Sequence, residues 1–553
     1  MNHNKNRTIN IKKILFDTFL QNKYILFSAI ALFFAYFLQD IVFPRKFSKF
    51  TTNVPDFIHN LSFSNVFSLI YPYLLSELLF YTNNIIVSHT IPEIELSVVQ
   101  KITDETLESM KTSKTSINTN EFIMNLKKIM ESKSIYYLIV SNVLPTILLS
   151  FALIYFFCKA DLMYGLIVLL ILTILFIVTV NNEANDIYFS RKNEIAINIF
   201  YDNIQDVMAN AETVIVNNSK EKEIKNINLS KNDAYMNYAN AEIVSSESTL
   251  KLHIIGTSII IILIGLAIYM HIHNIMTLET LISISIMSIL FLQYFNNTII
   301  RFKNALPQMG KLSAIIDYFS KFKIIEKFSI DNKLIITDGS ITFKNIYLQY
   351  NNKTVIENFN LDIRGNSKVG IIGEVGTGKS TLLKILSNLA NYKGYVYIDG
   401  QNLKNCDHIS ITDNIAYVPQ NPKLFDNTIL YNLSYGIDNT LNSIDNVNDI
   451  IYAFVTKMGF EQLFNNFPKK LETDVGKDGN NLSGGQRQII LLLRALIQDK
   501  KIILLDEPTS ALDKDTKNIV INLLKNITNK TLVIVTHDSD LIDSQIFDNI
   551  VRI

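Results

Sequence analysis

No glycine and no proline lies between Gly165 and Gly256. A stretch of that length without a helix breaker leaves two readings, long helices or a polar linker, and flexible linkers are rich in Gly, Ser and Pro. Residues 166–180 of the stretch are apolar, whereas 181–250 are polar with helical spacing. The simplest structure is a helix that leaves a membrane intact, runs deep into water, turns, and returns as the next helix. At about 1.5 Å of rise per residue, half of the polar excursion reaches roughly 50 Å. The interval from Pro92 to Pro145 repeats the pattern. Two long helical arms on one side of a membrane are therefore expected, after the second and fourth crossings.

Apolar stretches able to cross roughly 30 Å of hydrocarbon occupy residues 24–43, 67–87, 137–157, 162–180, 252–270 and 278–300. Glu77, Asn83 and Asn84 interrupt the second. Pro72 and Pro145 are expected to kink their helices, which spans tolerate. At 553 residues the chain exceeds one compact core. Its 48% hydrophobic content and mean hydropathy of +0.20 suit a membrane part joined to a soluble part. The balance of 51 basic and 51 acidic residues averages two unlike parts and identifies no partner; no nucleic acid is expected. Cys158 and Cys406, the only cysteines, exclude a disulfide framework and a Cys-rich metal site. The basic start (Lys5, Arg7, Lys12, Lys13, Lys23) has no small-residue cleavage site after its apolar run, so it is expected to stay cytoplasmic.

Beyond residue 310 the composition changes. Three of the 18 glycines precede that position and fifteen lie at or after it. Short β-rich runs at 340–349, 368–372, 502–505 and 531–535 alternate with helical ones, the pattern of an α/β domain with a largely parallel sheet. The expected organisation is a transmembrane domain over 1–320, a Lys-rich linker over 321–335 and a soluble domain over 336–553.

Gly373-Glu374-Val375-Gly376-Thr377-Gly378-Lys379-Ser380 fits a phosphate-binding loop, and it follows a strand and opens a helix at Thr381. Glycines let backbone N–H groups turn toward phosphates, and the helix N-terminus adds its positive end. Lys379 suits the β- and γ-phosphates, and the Ser380 hydroxyl suits Mg²⁺. Ile502 to Leu505 reads as a buried strand ending in Asp506 and Glu507. Two acids at a strand end usually make a solvated turn. Beside a phosphate loop in the same sheet, Asp506 suits a Mg²⁺ shell and Glu507 suits a water attacking the γ-phosphate.

Leu482-Ser483-Gly484-Gly485-Gln486 is the signature of the ABC ATPase family, just upstream of that strand. The stretch from Ser340 onward resembles this family throughout. The resemblance implies that Tyr350 stacks on adenine. It implies that Gln420, in Tyr417-Val418-Pro419-Gln420, is the Q-loop residue at the metal and attacking water. Ser510-Ala511-Leu512-Asp513 resembles the D-loop, and His537 the switch histidine at the γ-phosphate. In this fold the signature helix points away from its own phosphate loop. Ser483, Gly484, Gly485 and Gln486 are then expected to close on ATP held by a second cassette, in a homodimer or with a related half-transporter.

The membrane half is similar to the exporter branch of the family, because six helices precede the cassette in one polypeptide. The resemblance implies a six-helix transmembrane bundle with long cytoplasmic helical arms, followed by an α/β P-loop ATPase domain. It implies a multi-pass membrane protein, surrounded by lipid, with its N-terminus and ATPase domain cytoplasmic. It implies coupling helices near residues 111–118 and 194–202, and Glu212-Thr213-Val214-Ile215-Val216 resembles the return helix. An exporter of an unidentified substrate, a lipid translocator and an ATP-dependent regulatory module share this plan; intact Glu507 and His537 disfavour the third. Two features depart from the family. Lys477, after Thr473-Asp474-Val475-Gly476, stands where relatives carry an acid, so it is expected to face Glu194 or Asp202 on an arm. The chain also ends soon after His537, where relatives usually add another turn and helix. For the substrate path, Glu77, Gln293, Tyr294, Asn296 and Asn297 are candidates. His271 and His273 read as a solvated outer loop rather than a metal pair.

Overall fold

The computed structural model describes residues 5–55, 62–114, 117–131, 142–326, 332–350, 353–374, 376–421, 423–437 and 444–553. They form two compact units. One comprises residues 7–109 and 117–324, and the other residues 325–553 with 5–6 and 110–114.

The first unit is helical. Asn10 caps α1 (Ile11–Gln21), its side chain accepting from the Lys13 N–H. Asn22 caps α2 (Lys23–Phe37), which passes through a π-helical turn, Leu38–Val42, into α3 (Phe43–Thr52). There follow α4 (Phe63–Ser113), α5 (Thr119–Glu131), α6 (Leu144–Ala160), α7 (Leu162–Ala209), α8 (Ala211–Val216), α9 (Lys220–Ile272) and α10 (Leu278–Phe319). Pro72 and Pro92 both lie inside α4. Pro145 is the second residue of α6 and directly follows a π-helical turn at residues 142–143.

Among the described residues, four helical stretches are long and apolar enough to cross a membrane: Lys23–Thr52, Phe63–Ser113, Lys220–Ile272 and Leu278–Thr298. Two further expected spans correspond to shorter apolar helices, Leu144–Ala160 and Leu162–Ile171. Residues 132–141, part of the third expected span, lie outside the described residues. The apolar faces of α6, α7, α9 and α10 meet in a core of Leu149, Leu153, Phe157, Tyr164, Leu263, Ala267, Ile284 and Met287. A tight corner joins α6 to α7. Asp161 accepts from the Tyr164 N–H at 2.8 Å, and a Cβ on Gly165 would stand 2.6 Å from the Cys158 nitrogen. A separate core joins Ile11 and Leu15 of α1, Val98 and Ile102 of α4, Ile129 of α5 and Phe319 of α10.

Both arms turn where a polar residue enters the left-handed region. The first turns after α4, with Lys114 at φ +57°. The second does not turn near 194–202. Those residues lie inside the 48-residue α7, and the reversal falls at 210–219 through α8, with Asn218 at φ +51°. Glu212–Val216 therefore belongs to the tip, and the return helix is α9.

The second unit is built on two sheets. Strands β1 (Ile341–Tyr350), β2 (Lys353–Ile363) and β4 (Lys393–Ile398) form an antiparallel sheet with the short strand Gln401–Asn402. Strands β3 (Lys368–Ile372), β5 (Ile415–Val418), β6 (Ile502–Asp506), β7 (Thr531–Val535) and β8 (Asn549–Arg552) form an all-parallel sheet in the order β8-β3-β7-β6-β5. Every residue of β6 and β7 is buried, as a central parallel strand requires. The helices α11 (Lys379–Leu386), α12 (Ile429–Ser434), α13 (Gly484–Ile497) and α14 (Lys514–Asn526) complete what the site needs. Ile489, Ile490, Leu492 and Leu493 of α13 pack against Ile503 and Leu505 of β6. Residues 110–114 attach to this unit through their polar groups. Asn391 Nδ2 donates to the Ser113 carbonyl at 2.8 Å, and Lys114 Nζ donates to the Ala390 carbonyl at 3.2 Å.

Candidate nucleotide-binding site

Register brings the chemistry together. Val535 pairs with Asp506 on one side and Ile371 on the other, so three parallel strands end level. Their C-terminal continuations are the 373–378 loop, Asp506–Glu507 and Thr536–His537, all at one edge of the sheet. Gly376 and Gly378 take φ +91° and +93°, left-handed values that favour glycine. Lys379 opens α11 and is buried; its ammonium donates to the carbonyls of Gly373 (2.9 Å) and Glu374 (2.6 Å). Thr377 Oγ1 donates to the Glu374 carbonyl, and the Thr381 N–H donates to the Gly378 carbonyl. Val375 lies outside the described residues.

The Ser380 hydroxyl donates to Asp506 Oδ1 at 3.0 Å. Burial pushes the Asp506 carboxyl above its ordinary range, opposed by that hydrogen bond and by Lys384 and Lys379. A hydroxyl and a carboxylate, both hard oxygen donors, fit Mg²⁺ that takes its remaining ligands from phosphate and water. Glu507 is 6% exposed and takes φ +53°. A non-glycine residue there costs roughly 1–3 kcal/mol, which surrounding bonds must hold in place. Its N–H donates to the Val535 carbonyl at 2.9 Å, and its Oε2 accepts from the His537 N–H at 3.3 Å. Its Oε1 has no hydrogen-bond partner among the described residues and stands 3.5 Å from His537 Nε2. Burial raises this carboxyl as well; the His537 backbone and ring and Lys379 oppose the rise, and Asp506 adds to it. A buried carboxylate of raised pKa with a free oxygen is suited to accept a proton from water.

Other expected residues are placed differently. Gln420 is exposed, two residues past the end of β5, on the strand beside β6. Tyr350 ends β1, and its ring lies outside the described side chains. Ser483 caps α13 in a reciprocal pair: the Ser483 N–H donates to Gln486 Oε1 (2.8 Å), and the Gln486 N–H donates to Ser483 Oγ (3.2 Å). Ser483 is exposed, and among the described residues no hydrogen bond joins the signature to the 373–380 loop. A Cβ on Gly485 would lie 2.7 Å from the Ala511 carbonyl oxygen, so glycine is needed for the approach of the 510–513 loop. Asp513 is not at the strand-end cluster. It caps α14, accepting from the Thr516 N–H and hydroxyl at 3.0 and 2.8 Å, and these bonds hold its carboxyl below the ordinary range.

Lys477 is exposed, and Asp478 beside it stands 3.8 Å from Lys423. Glu194, one of its expected partners, is 3.8 Å from Lys128 of α5 inside the helical unit. Within that unit Glu77 is exposed on α4, whereas Asp40, in the π-helical turn, is 4% exposed with Oδ2 lacking a partner among the described residues. Among the described residues of the expected spans the buried acid is thus Asp40, which sits at the end of an apolar run. Tyr294 is buried and its hydroxyl donates to the Asn142 carbonyl at 3.3 Å; Gln293 and Asn297 are exposed, and Asn296 Oδ1 is buried without a partner among the described residues. His271 Nδ1 bonds the Met276 carbonyl at 2.8 Å, and His273 packs on Tyr269, which makes both local to their turn.

The comparisons with known proteins agree with this geometry. The profile of the family described as ABC transporter matches residues 356–510. The chain is 31% identical over 238 residues to the mitochondrial ABC transporter B family member 24 of Arabidopsis thaliana, covering 41% of this chain and 34% of that protein. It is 33% identical over 204 residues to the ATP-dependent lipid A-core flippase of Neisseria meningitidis, covering 36% of this chain and 32% of that one. The human iron-sulfur clusters transporter ABCB7, mitochondrial, is 31% identical over 202 residues, with 36% of this chain and 26% of that one covered. The match spans about a quarter to a third of the length of such relatives. In structure, a bacterial Atm1-family ABC exporter with ATP bound superposes with a TM-score of 0.76 at 18% identity, over 98% of this chain and 93% of that one. Residues 356–510 thus carry an ABC transporter domain, and the chain, with helices long and apolar enough to cross a membrane, has the fold of an ABC exporter.

Proposed function

We propose that this chain hydrolyses ATP at the strand-end cluster and couples hydrolysis to export of a substrate by alternating access. The observation that carries the reading is Glu507, a buried carboxylate with one free oxygen, beside Lys379, the Ser380–Asp506 pair and His537. Lys379 neutralises the β- and γ-phosphates, and the resemblance assigns the adenine to Tyr350. Ser380 and Asp506, with Gln420 from the neighbouring strand, would hold Mg²⁺, which supplies charge neutralisation on the phosphates when bound. Glu507 Oε1 takes a proton as the water oxygen bonds to the γ-phosphorus. The bond from that phosphorus to the bridging oxygen breaks, and ADP and phosphate leave. His537 steadies the charge on the departing phosphate.

The exposed signature at Ser483–Gln486 would complete the site of a second chain, giving a dimer of two such sites, with an identical chain or a related half-transporter. We take residues 1–320 as the transmembrane domain, 321–335 as connector and 336–553 as the ATPase domain. The N-terminus, the arms and the ATPase domain lie on the cytoplasmic side, as the basic start requires. Lipid translocation is the second reading, favoured by the similarity to a lipid A-core flippase. Purified protein in liposomes separates the two. Stimulation of ATPase activity by soluble solutes supports export, stimulation by particular lipids supports translocation, and absence of Mg²⁺-dependent hydrolysis overturns both.

A further inference from the structure

The side chain of Gln488 lies in the first turns of α13, five residues after the signature serine, and is 3% exposed. An amide in such surroundings has to find partners for both ends. It finds them in a single short segment. Its Nε2 donates to the carbonyl oxygen of Glu507, and its Oε1 accepts from the N–H of Ala511 at 3.2 Å. One partner is an obligate acceptor and the other an obligate donor, so the orientation of the amide is fixed. Ser510 Oγ adds a second bond to the same Glu507 carbonyl at 3.1 Å. Residues 507–511 are thus closed across one side chain that belongs to the signature helix.

Glu507 needs such a restraint. Its φ of +53° is left-handed, and its carboxylate is aimed by that backbone. On the strand side it is held by the bond from its N–H to Val535. On the other side its carbonyl is held by Gln488 and Ser510. Gln488 is joined through less than two helical turns to Ser483, so a shift of the signature end of α13 moves the Glu507 carbonyl and the Ala511 N–H together. We infer that Gln488 is a positioning residue that ties the signature helix to the backbone of Glu507 and to the 510–513 loop, so that the aim of the carboxylate follows α13. The inference rests on the reading of Glu507 given above.

The test uses the full chain in liposomes. Gln488→Met keeps the volume and flexibility of the side chain but removes both bonds, and Gln488→Glu keeps the acceptor for Ala511 while losing the donor to Glu507. Both should lower kcat by about ten-fold or more. KM for MgATP should stay within about two-fold, with the melting temperature of Gln488→Met close to that of the parent. Wild-type kcat in Gln488→Met, or a loss matched by KM and melting temperature, overturns the inference and leaves the reading of Glu507 standing. Lack of hydrolysis by the unmodified chain, or full activity in Glu507→Gln, overturns that reading and the inference with it. If neither variant folds, amide hydrogen exchange in the unmodified protein decides. The Ala511 N–H should be protected although its residue is exposed, and fast exchange there overturns the inference.

Discussion

At Glu507 a left-handed backbone, burial and an unbonded oxygen coincide. Burial raises the folded-state pKa of the carboxyl above its unfolded value. The sign follows from linkage: the ionised side chain opposes folding, and the penalty grows as pH rises through the folded pKa. Glu507→Gln should therefore melt higher than the parent at neutral pH in thermal scans, with the gain shrinking as pH is lowered through the folded pKa. The same variant should lose about 10²–10⁴ of the ATPase rate while still binding nucleotide. A second contrast separates neighbouring glycines. A Cβ on Gly484 meets Ala511 Cβ at an ordinary 3.5 Å, whereas one on Gly485 meets the Ala511 carbonyl at 2.7 Å. Gly485→Ala should cost about 1–3 kcal/mol more than Gly484→Ala in denaturant unfolding, and more activity. Lys379, Ser380, Asp506, Glu507 and His537 were legible in sequence because parallel strands of similar length place their ends together. Gln488 was not, because one polar residue on an apolar helix looks like any other until its partners across 507–511 are known.

Helices without breakers were equally legible, and their ends were not. The resemblance implies a coupling helix near 194–202 in the second arm, yet α7 continues to Ala209 and reverses at 210–219. That reversal uses no glycine or proline. Asparagine tolerates the left-handed region because its short side chain bonds locally, and Asn210, Asn217 and Asn218 supply the corner, with Asn217 Nδ2 on the Thr213 carbonyl at 2.8 Å. At this tip Ile215 and Val216 are 76% and 84% exposed. Two aliphatic side chains at the end of a polar arm are suited to docking. Val216→Asp should therefore lower substrate-stimulated ATPase activity while leaving basal activity and melting temperature nearly unchanged. Equal loss of basal and stimulated rates would assign the tip no part in transmission.

For the whole molecule, the exposed signature and the strand-end cluster have complementary roles that one chain does not join by any hydrogen bond among its described residues. Lys379→Ala and Ser483→Arg chains should each be inactive, and mixing them should restore a fraction of ATPase activity through one intact composite site per mixed dimer. No recovery in dimers shown to be mixed argues against sharing. The division of the chain carries a different consequence. Residues 110–114, encoded more than two hundred positions before residues 325–553 of their compact unit, contribute Ser113 and Lys114 to the Ala390–Asn391 surface. The ATPase half is therefore not a portable cassette in the genetic sense. A gene fusion that exchanges it for a relative's would inherit a mismatched patch unless these five codons travelled with it, so recombination within this family should tolerate whole-chain exchange far better than exchange at the linker.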